Sequence, residues 1–442
     1  MSAIRQALES VRERTLQLTA PLSADALTRQ HSPLMSPIVW DLGHIAAFED
    51  LWLVESLGEA SDESGLDESG LEETYDAFRT PRSERGALDL PDGRTAAAHM
   101  AAIRDVSLAR LESIDLTAAN RLLQDGFVYG MVRQHEAQHQ ETILQTIQLM
   151  ESEPYEPAER LPLPEPDIIV SGQAARERIR VPGGPFDLGA LPGGFTYDNE
   201  RPRQAVEVAE FELARYPVSN ADYLEFMRDG GYADRALWTD EGWEWKESEG
   251  LVAPLFWQPD ESDEAEGRGW SRRTSLGLEA LRLDHPVIHV CWYEADAYAR
   301  YRDCRLPSET EWEKAAAWDP EAGQSRRYPW GSAWPDVDLA NLDQLGFGVA
   351  PLGAYSAGAS ALGFEQMMGD VWEWTSDTFT GYSGFESFPY AEYSEVFFGD
   401  DYRVLRGGSW ATRPSVARNT VRNWDYPKRR QIFSGIRLAK DV

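Results

Sequence analysis

The sequence predicts an α+β protein of two unlike halves, a four-helix bundle followed by an irregular, aromatic-rich domain. Three observations carry this expectation. Apolar residues recur at helical spacing up to about residue 150, and a stretch with five prolines follows at 151–166. Beyond it, short segments rich in Val, Phe, Tyr and Trp alternate with Gly and Pro clusters. The expected divisions are a bundle at 1–150, a linker at 151–170 and a second domain at 171–442. A length of 442 residues suits two or three cores rather than one.

The first helix is carried by Ile4, Leu8, Val11, Leu16 and Leu18. The second spans 38–57 and is entered through Ser36 as N-cap and Pro37 in the first turn. Apolar periodicity at 98–111 and 127–150 supplies two more, and four such long helices suggest an antiparallel bundle. Between the second and third, residues 61–73 repeat the unit DESGL in tandem and read as a solvated acidic loop. The proline-rich stretch reads as a semi-rigid extended linker. In the second half the regular helices expected are 292–301 and 308–317, where Ser308 and Glu311 form a capping box. The sequence PDESDEAEGRG at 258–268 is another acidic surface loop. Most of the 16 Trp lie in this half, so large aromatics are expected to hold it together.

Against 75 acidic residues stand 42 basic ones, a net charge of −33. A surface so acidic repels polynucleotides and anionic lipid, which argues against a nucleic-acid or membrane partner. No apolar run approaches the roughly 18 residues of a membrane span. Charged residues interrupt MSAIRQALESVRERTLQL, so no signal peptide is expected and the cytoplasm is the expected location. Cys291 and Cys304 are the only cysteines, too few for a disulfide framework or a Cys-rich zinc site.

His135 and His139 are four apart on an expected helix, which puts both imidazoles on one face within about 6 Å, a spacing that suits two ligands of one metal ion. With Glu136 they satisfy H-E-x-x-H, so a zinc hydrolase is one reading. His44 lies in the second helix on a stripe with Trp40 and Ala47, and a bundle brings such positions together in its interior. A bland alternative is one core histidine and two exposed ones. His285 and His289 have the same spacing, but Pro286 and the Val/Ile run read as a strand, which separates the rings by about 13 Å. These two are expected to be structural. Three neutral imidazoles suit iron, zinc or copper, and composition does not choose among them.

The stretch SPLMSPIVWDLGHIAAFEDLWL with HEAQHQET resembles the DinB-like helical domain of the EgtB-type sulfoxide synthases of ergothioneine biosynthesis. The second half, with VPGGPF, DNERP, HPVIHVCWYEADAYARY, RLPSETEWEKAAAWDP, GDVWEWTSD, RVLRGGSWATRP and FSGIRLA, resembles the formylglycine-generating-enzyme-like domain that follows it in that family. The motifs run in the same order over nearly the whole chain. The resemblance implies a non-haem iron(II) enzyme that uses O2 to join a thiol sulfur to the imidazole carbon of hercynine, oxidising that sulfur to a sulfoxide. His44, His135 and His139 match its facial iron triad, and Glu136 becomes a residue behind the ligands or on the helix surface.

Other roles follow by the same matching. Arg82 and Arg85 match arginines that hold carboxylates of γ-glutamylcysteine, a task suited to planar, permanently charged guanidinium forks. Asp425 and Arg429 match a further thiol-substrate pair, the acid for the α-ammonium and the base for a carboxylate. Tyr390 matches the tyrosine that supplies a proton during the oxygen chemistry. Trp424, Asn423 and Gln138 are the matches for hercynine, whose trimethylammonium favours aromatic faces. Formylglycine generation itself needs a reactive cysteine pair near the C-terminus, and SVARNTVRNWDYP has no cysteine. Alternatives on the same scaffold are free cysteine or a selenium donor. An ovothiol-type synthase is disfavoured by the absence of an added methyltransferase domain, and a non-catalytic thiol-binding module by the retention of the three histidines and Tyr390.

Overall fold

The computed structural model describes residues 1–57, 74–117, 119–151, 154–260 and 269–442. The acidic repeat at 61–73 and most of the loop at 258–268 lie outside the described residues. The chain forms two compact units, Met1–Glu159 with Gly193–Phe195, and Arg160–Pro192 with Thr196–Val442.

The first unit is helical. Its elements are α1 (Ser2–Thr19), a short α2 (Ala24–Thr28), α3 (Ile38–Glu49), α4 (Gly93–Ser113) and α5 (Phe127–Leu149). α3 continues as π-helical turns over Asp50–Glu55, so the expected second helix is present nearly to its end. It packs on α4 and α5, and α1 lies along α5. Ser23 and Asp92 cap α2 and α4 by accepting from the amides of Ala26 and Thr95. Ser36 does not cap α3, contrary to expectation. Pro37 is the N-cap, and the Ser36 hydroxyl accepts from Arg85 instead.

A charged quartet lies inside this bundle, one residue from each long helix. Arg12 of α1 meets Glu49 of α3 at 2.7 Å and Glu136 of α5 at 2.8 Å, while Arg104 of α4 meets the same two carboxylates at 2.6 and 3.0 Å. All four side chains are buried. Two guanidinia facing two carboxylates cancel in charge, and each removes the penalty of burying the others. The quartet therefore fixes the rotation of the helices that carry the histidines.

In the second unit, regular structure is brief. Strands Arg178–Val181, Phe211–Ala214 and Ala439–Asp441 make an antiparallel sheet, with Phe211–Ala214 in the middle. Strands Asn423–Asp425, Gly399–Arg406, Trp372–Phe379 and Ser434–Gly435 make another, parallel only at its last pair. The expected helices appear as Trp292–Tyr301 and Glu309–Ala317, the latter with the Ser308–Glu311 capping box. Two further helices, Asn220–Arg228 and Asp240–Glu249, were not expected. They are short, and their cap residues Ser219 and Thr239 are the only strong local signals. Cys291 is the buried N-cap of Trp292–Tyr301.

Aromatics do fill this core, with Trp312, Phe186, Phe211 and Phe364 in one cluster. The irregular backbone is satisfied by a second device. Buried Arg437 pairs with Glu373 at 2.8 Å, Arg422 with Glu309 at 2.7 Å and Arg430 with Glu294 at 3.0 Å, while Arg406 pairs with Glu313 and Arg418 with Glu200. Their remaining donors reach carbonyls of irregular backbone, among them those of Arg215, Thr420 and Asn419. Loops without ladder partners need such donors when buried. Among its described residues the proline-rich stretch has no helix or strand, and Arg160 and Leu161 bond to the carbonyls of Gly346 and Leu345.

The segment carrying His285 and His289 is not a strand. It is irregular, with an isolated bridge at Pro286 and His289 at φ +66°. Both histidines are buried, and His289 Nδ1 donates to the Arg430 carbonyl at 3.2 Å. Burial, reinforced by the Arg272 charge, lowers the His289 pKa to about 3. A base with a depressed pKa stabilises the fold fully above its unfolded value, about 6.5, and loses that contribution as pH falls towards 3. His289→Asn, which tolerates the left-handed backbone, is therefore expected to flatten the pH dependence. Between pH 7.5 and 5.0 the parent should lose about 2 kcal/mol more stability than the variant in chemical denaturation. Equal losses would reject the assignment.

Candidate metal centre

Trp40, His44 and Phe48 recur at i, i+4 and i+8 on α3, which aligns them along one face. α5 presents His135 and His139 one turn apart towards that face. The donor nitrogens of His44, His135 and His139 all lie within 4.8 Å of one another, and His44 Nε2 is 3.2 Å from His135 Nε2. Trp40 stacks on His44 (ring centres 4.9 Å apart, planes 14° apart), and Phe48 stacks on His135 (3.7 Å, 11°).

Two hydrogen bonds orient the rings. His44 Nδ1 donates to the Tyr75 carbonyl at 2.7 Å, and His139 Nδ1 donates to Asp41 Oδ1 at 3.0 Å. With the proton assigned to Nδ1 by these acceptors, the Nε2 lone pairs of both rings are directed inward, the usual support of a metal-binding imidazole. Asp41 Oδ2 is buried with no hydrogen-bond partner. A Cβ at Gly43 would lie 2.1 Å from the Tyr75 ring, so the glycine is what lets Tyr75 cross α3 and deliver its carbonyl to His44. Burial first, then the neighbouring His139, lowers the His44 pKa to about 3, and burial pushes that of His135 well below its ordinary value. Neutral imidazoles keep their lone pairs for a cation. Three imidazoles without a carboxylate fit a divalent iron, zinc or copper ion with open positions.

Glu136 is not on the helix surface. Its carboxylate is turned into the quartet, accepting from Arg12 at 2.8 Å, Arg104 at 3.0 Å and Thr15 at 2.8 Å. A zinc hydrolase needs this group beside the metal as a general base. Here it is committed elsewhere.

Among the other expected site residues, Gln138 is half-buried on α5 between the two ligands. Arg82 is exposed and reaches the Leu34 carbonyl at 3.4 Å. Arg85 is only 4% exposed, and its fork is filled by the Thr80 carbonyl (2.9 Å), the Ser36 hydroxyl (2.8 Å) and the Ala77 carbonyl (3.2 Å). Its guanidinium lies 3.4 Å from the centre of the Trp40 ring, on an indole that also stacks with His44.

Tyr390, Asn423, Trp424, Asp425 and Arg429 belong to the second unit. Asn423–Asp425 is an edge strand, and Arg429 Nε is 3.4 Å from Asp425 Oδ1. Trp424 stacks on Phe379 at 4.1 Å and meets Tyr393 edge-on at 5.6 Å. Tyr390 packs against Tyr393, and burial raises its phenol pKa well above 10.0, so the proton is retained at neutral pH. Sequence reasoning missed Asp41, Tyr75 and Phe48. Asp41 stands at i−3 from His44 on the same helix, a usable signal, whereas a backbone carbonyl 31 residues away leaves none.

Residues 7–143 match the DinB superfamily, and residues 168–442 match the sulfatase-modifying factor enzyme 1-like domain. The chain is similar to three bacterial proteins named hercynine oxygenase. That of Mycolicibacterium smegmatis is 46% identical, with 98% of each chain covered. That of Mycolicibacterium thermoresistibile is 45% identical over 99% of this chain and 94% of the relative. That of Mycobacterium tuberculosis is 44% identical, with 98% of each covered. Among the described residues, no helix is long and apolar enough to cross a membrane.

Proposed function

The chain belongs to the hercynine oxygenase family of oxygenases, and from that premise we propose that it joins the sulfur of γ-glutamylcysteine to hercynine with iron(II) and O2. The carrying observation is the convergence of His44, His135 and His139, two of them oriented by Tyr75 and Asp41. In the reaction the imidazole C–H and the thiol S–H are lost and a C–S bond forms. One oxygen atom of O2 ends on sulfur as the sulfoxide and the other leaves as water. The bond formation and the sulfoxidation each supply two electrons, which together reduce O2 fully.

The triad would hold the iron, whose chemistry when bound is to gather thiolate and O2 and to activate the O2. Residues of the chain do the rest. Tyr75 and Asp41 hold two imidazoles as Nε2 donors. Tyr390 keeps a proton at its phenol oxygen, because burial disfavours the phenolate, and can deliver it where oxygen is reduced. Asp425 receives the α-ammonium of the thiol substrate and Arg429 a carboxylate. Arg82, with its fork largely free, takes the other carboxylate, while Arg85 braces the loop beside Trp40. We assign hercynine recognition to Gln138, Asn423 and Trp424, a trimethylammonium being suited to an indole face.

The test is to purify the protein without air, add iron(II), hercynine and either γ-glutamylcysteine or cysteine, admit O2, and analyse products by mass spectrometry. The expected product is the γ-glutamyl sulfoxide adduct. Bound iron with no hercynine–sulfur product rejects the reading, and an adduct formed only from cysteine or a selenium donor moves the donor assignment.

A further inference from the structure

With 75 acidic residues for 42 basic ones, a half-buried arginine without an anionic partner is unexpected. Arg403 is such a residue. It lies on strand Gly399–Arg406, its Nε is buried with no hydrogen-bond partner, and its guanidinium rests 4.7 Å from the centre of the Trp292 ring. Arg406, at the end of the same strand, is paired with Glu313.

The nearest candidates for pairing are committed elsewhere. Arg403 stands directly opposite Asp425 in the antiparallel register, so both side chains leave the sheet on one face about 5 Å apart at Cβ. Asp425 is nevertheless drawn to Arg429 at 3.4 Å, a contact too poorly aligned to satisfy Arg429 Nε. Asp296, whose carboxyl also feels the Arg403 charge, lies 3.0 Å from Arg300. Two under-satisfied guanidinia thus flank one carboxylate. Desolvated donors left in this state carry a cost that an incoming anion removes.

We propose that Arg403 binds the carboxylate of an α-amino-acid head group whose ammonium Asp425 receives, with Arg429 as the second fork on that carboxylate. Ammonium and carboxylate of an amino acid share one carbon, so their recognition requires an acid and a base side by side. The Arg403–Asp425 cross-strand pair supplies that arrangement. Assigning the head group to the γ-glutamyl end of the thiol substrate rests on the reading under Proposed function.

The experiment uses the full chain with iron(II), kept without air, and follows binding by calorimetry. The probes are γ-glutamylcysteine and γ-aminobutyryl-cysteine, which differ only in the α-carboxylate. R403M is expected to weaken γ-glutamylcysteine binding about 10- to 100-fold, and R403K, a point charge without a fork, to fall between. For γ-aminobutyryl-cysteine, parent and R403M should bind equally. Equal binding of γ-glutamylcysteine by parent and R403M overturns the proposal, and so does an equal loss on both probes, which marks a merely structural role. A carboxylate-dependent loss without any hercynine–sulfur product keeps the head-group site and removes the coupling reaction. Product formed with R403M at an unchanged thiol KM does the reverse.

Discussion

His44→Ala is expected to abolish metal retention and turnover together. His135 and His139 lie one turn apart on a single helix, so without the ligand from α3 the ion is held from one side only. Loss of an outer partner of a metal-binding histidine already costs about 10- to 100-fold in affinity or activity, and loss of the ligand itself costs more. Iron content after gel filtration and product formation should fall in parallel, by more than about 100-fold for turnover. Asp41→Asn, which weakens the acceptor of His139 Nδ1–H and keeps all three ligands, should lie within that 10- to 100-fold range. Stoichiometric iron in His44→Ala would show that the three ligands are wrongly drawn.

Glu136→Ala should be the most destabilising change in the bundle. It leaves Arg12 and Arg104 buried against the single carboxylate of Glu49 and removes the nearer of the two acceptors of the Thr15 hydroxyl. Breaking a buried pair in this way costs about 3–5 kcal/mol, a large share of the roughly 5–15 kcal/mol that holds a typical protein folded. Replacing Arg104 and Glu136 together by Met should restore part of the loss, because no uncompensated charge then remains. Denaturation curves of the two variants decide this. A general base would behave in the opposite way, losing activity at unchanged stability.

Much of the bundle was readable because helical periodicity is local. The spacing of His135 and His139, the stripe through Trp40 and His44, and the Ser308–Glu311 capping box each depend on residues within two turns of one another. The same logic failed at 285–289, where apolar alternation looked like a strand but His289 adopts a left-handed conformation and the segment is held by a carbonyl of the distant Arg430. It failed again at Ser36, a sound N-cap candidate by type, because the Arg85 guanidinium claims its hydroxyl.

By itself the sequence determined the helical first half, the aromatic second half, the histidines able to bind a metal and, through motifs matching in order along the chain, the family. Only the tertiary structure decided what those residues touch. Glu136 follows His135 directly in the chain, yet helical rotation turns it away from the ligands and into the four-helix quartet. Arg85 matches an arginine that holds a substrate carboxylate, yet it is buried on Trp40 with its fork filled, while Arg403 Nε has no hydrogen-bond partner among the described residues despite an acid opposite it. The physical reason is common to all three. Local spacing sets which face of an element a side chain occupies, whereas partners that decide its role, such as Arg12 for Glu136, Trp40 for Arg85 and Trp292 for Arg403, stand tens or hundreds of positions away, where pattern leaves no trace.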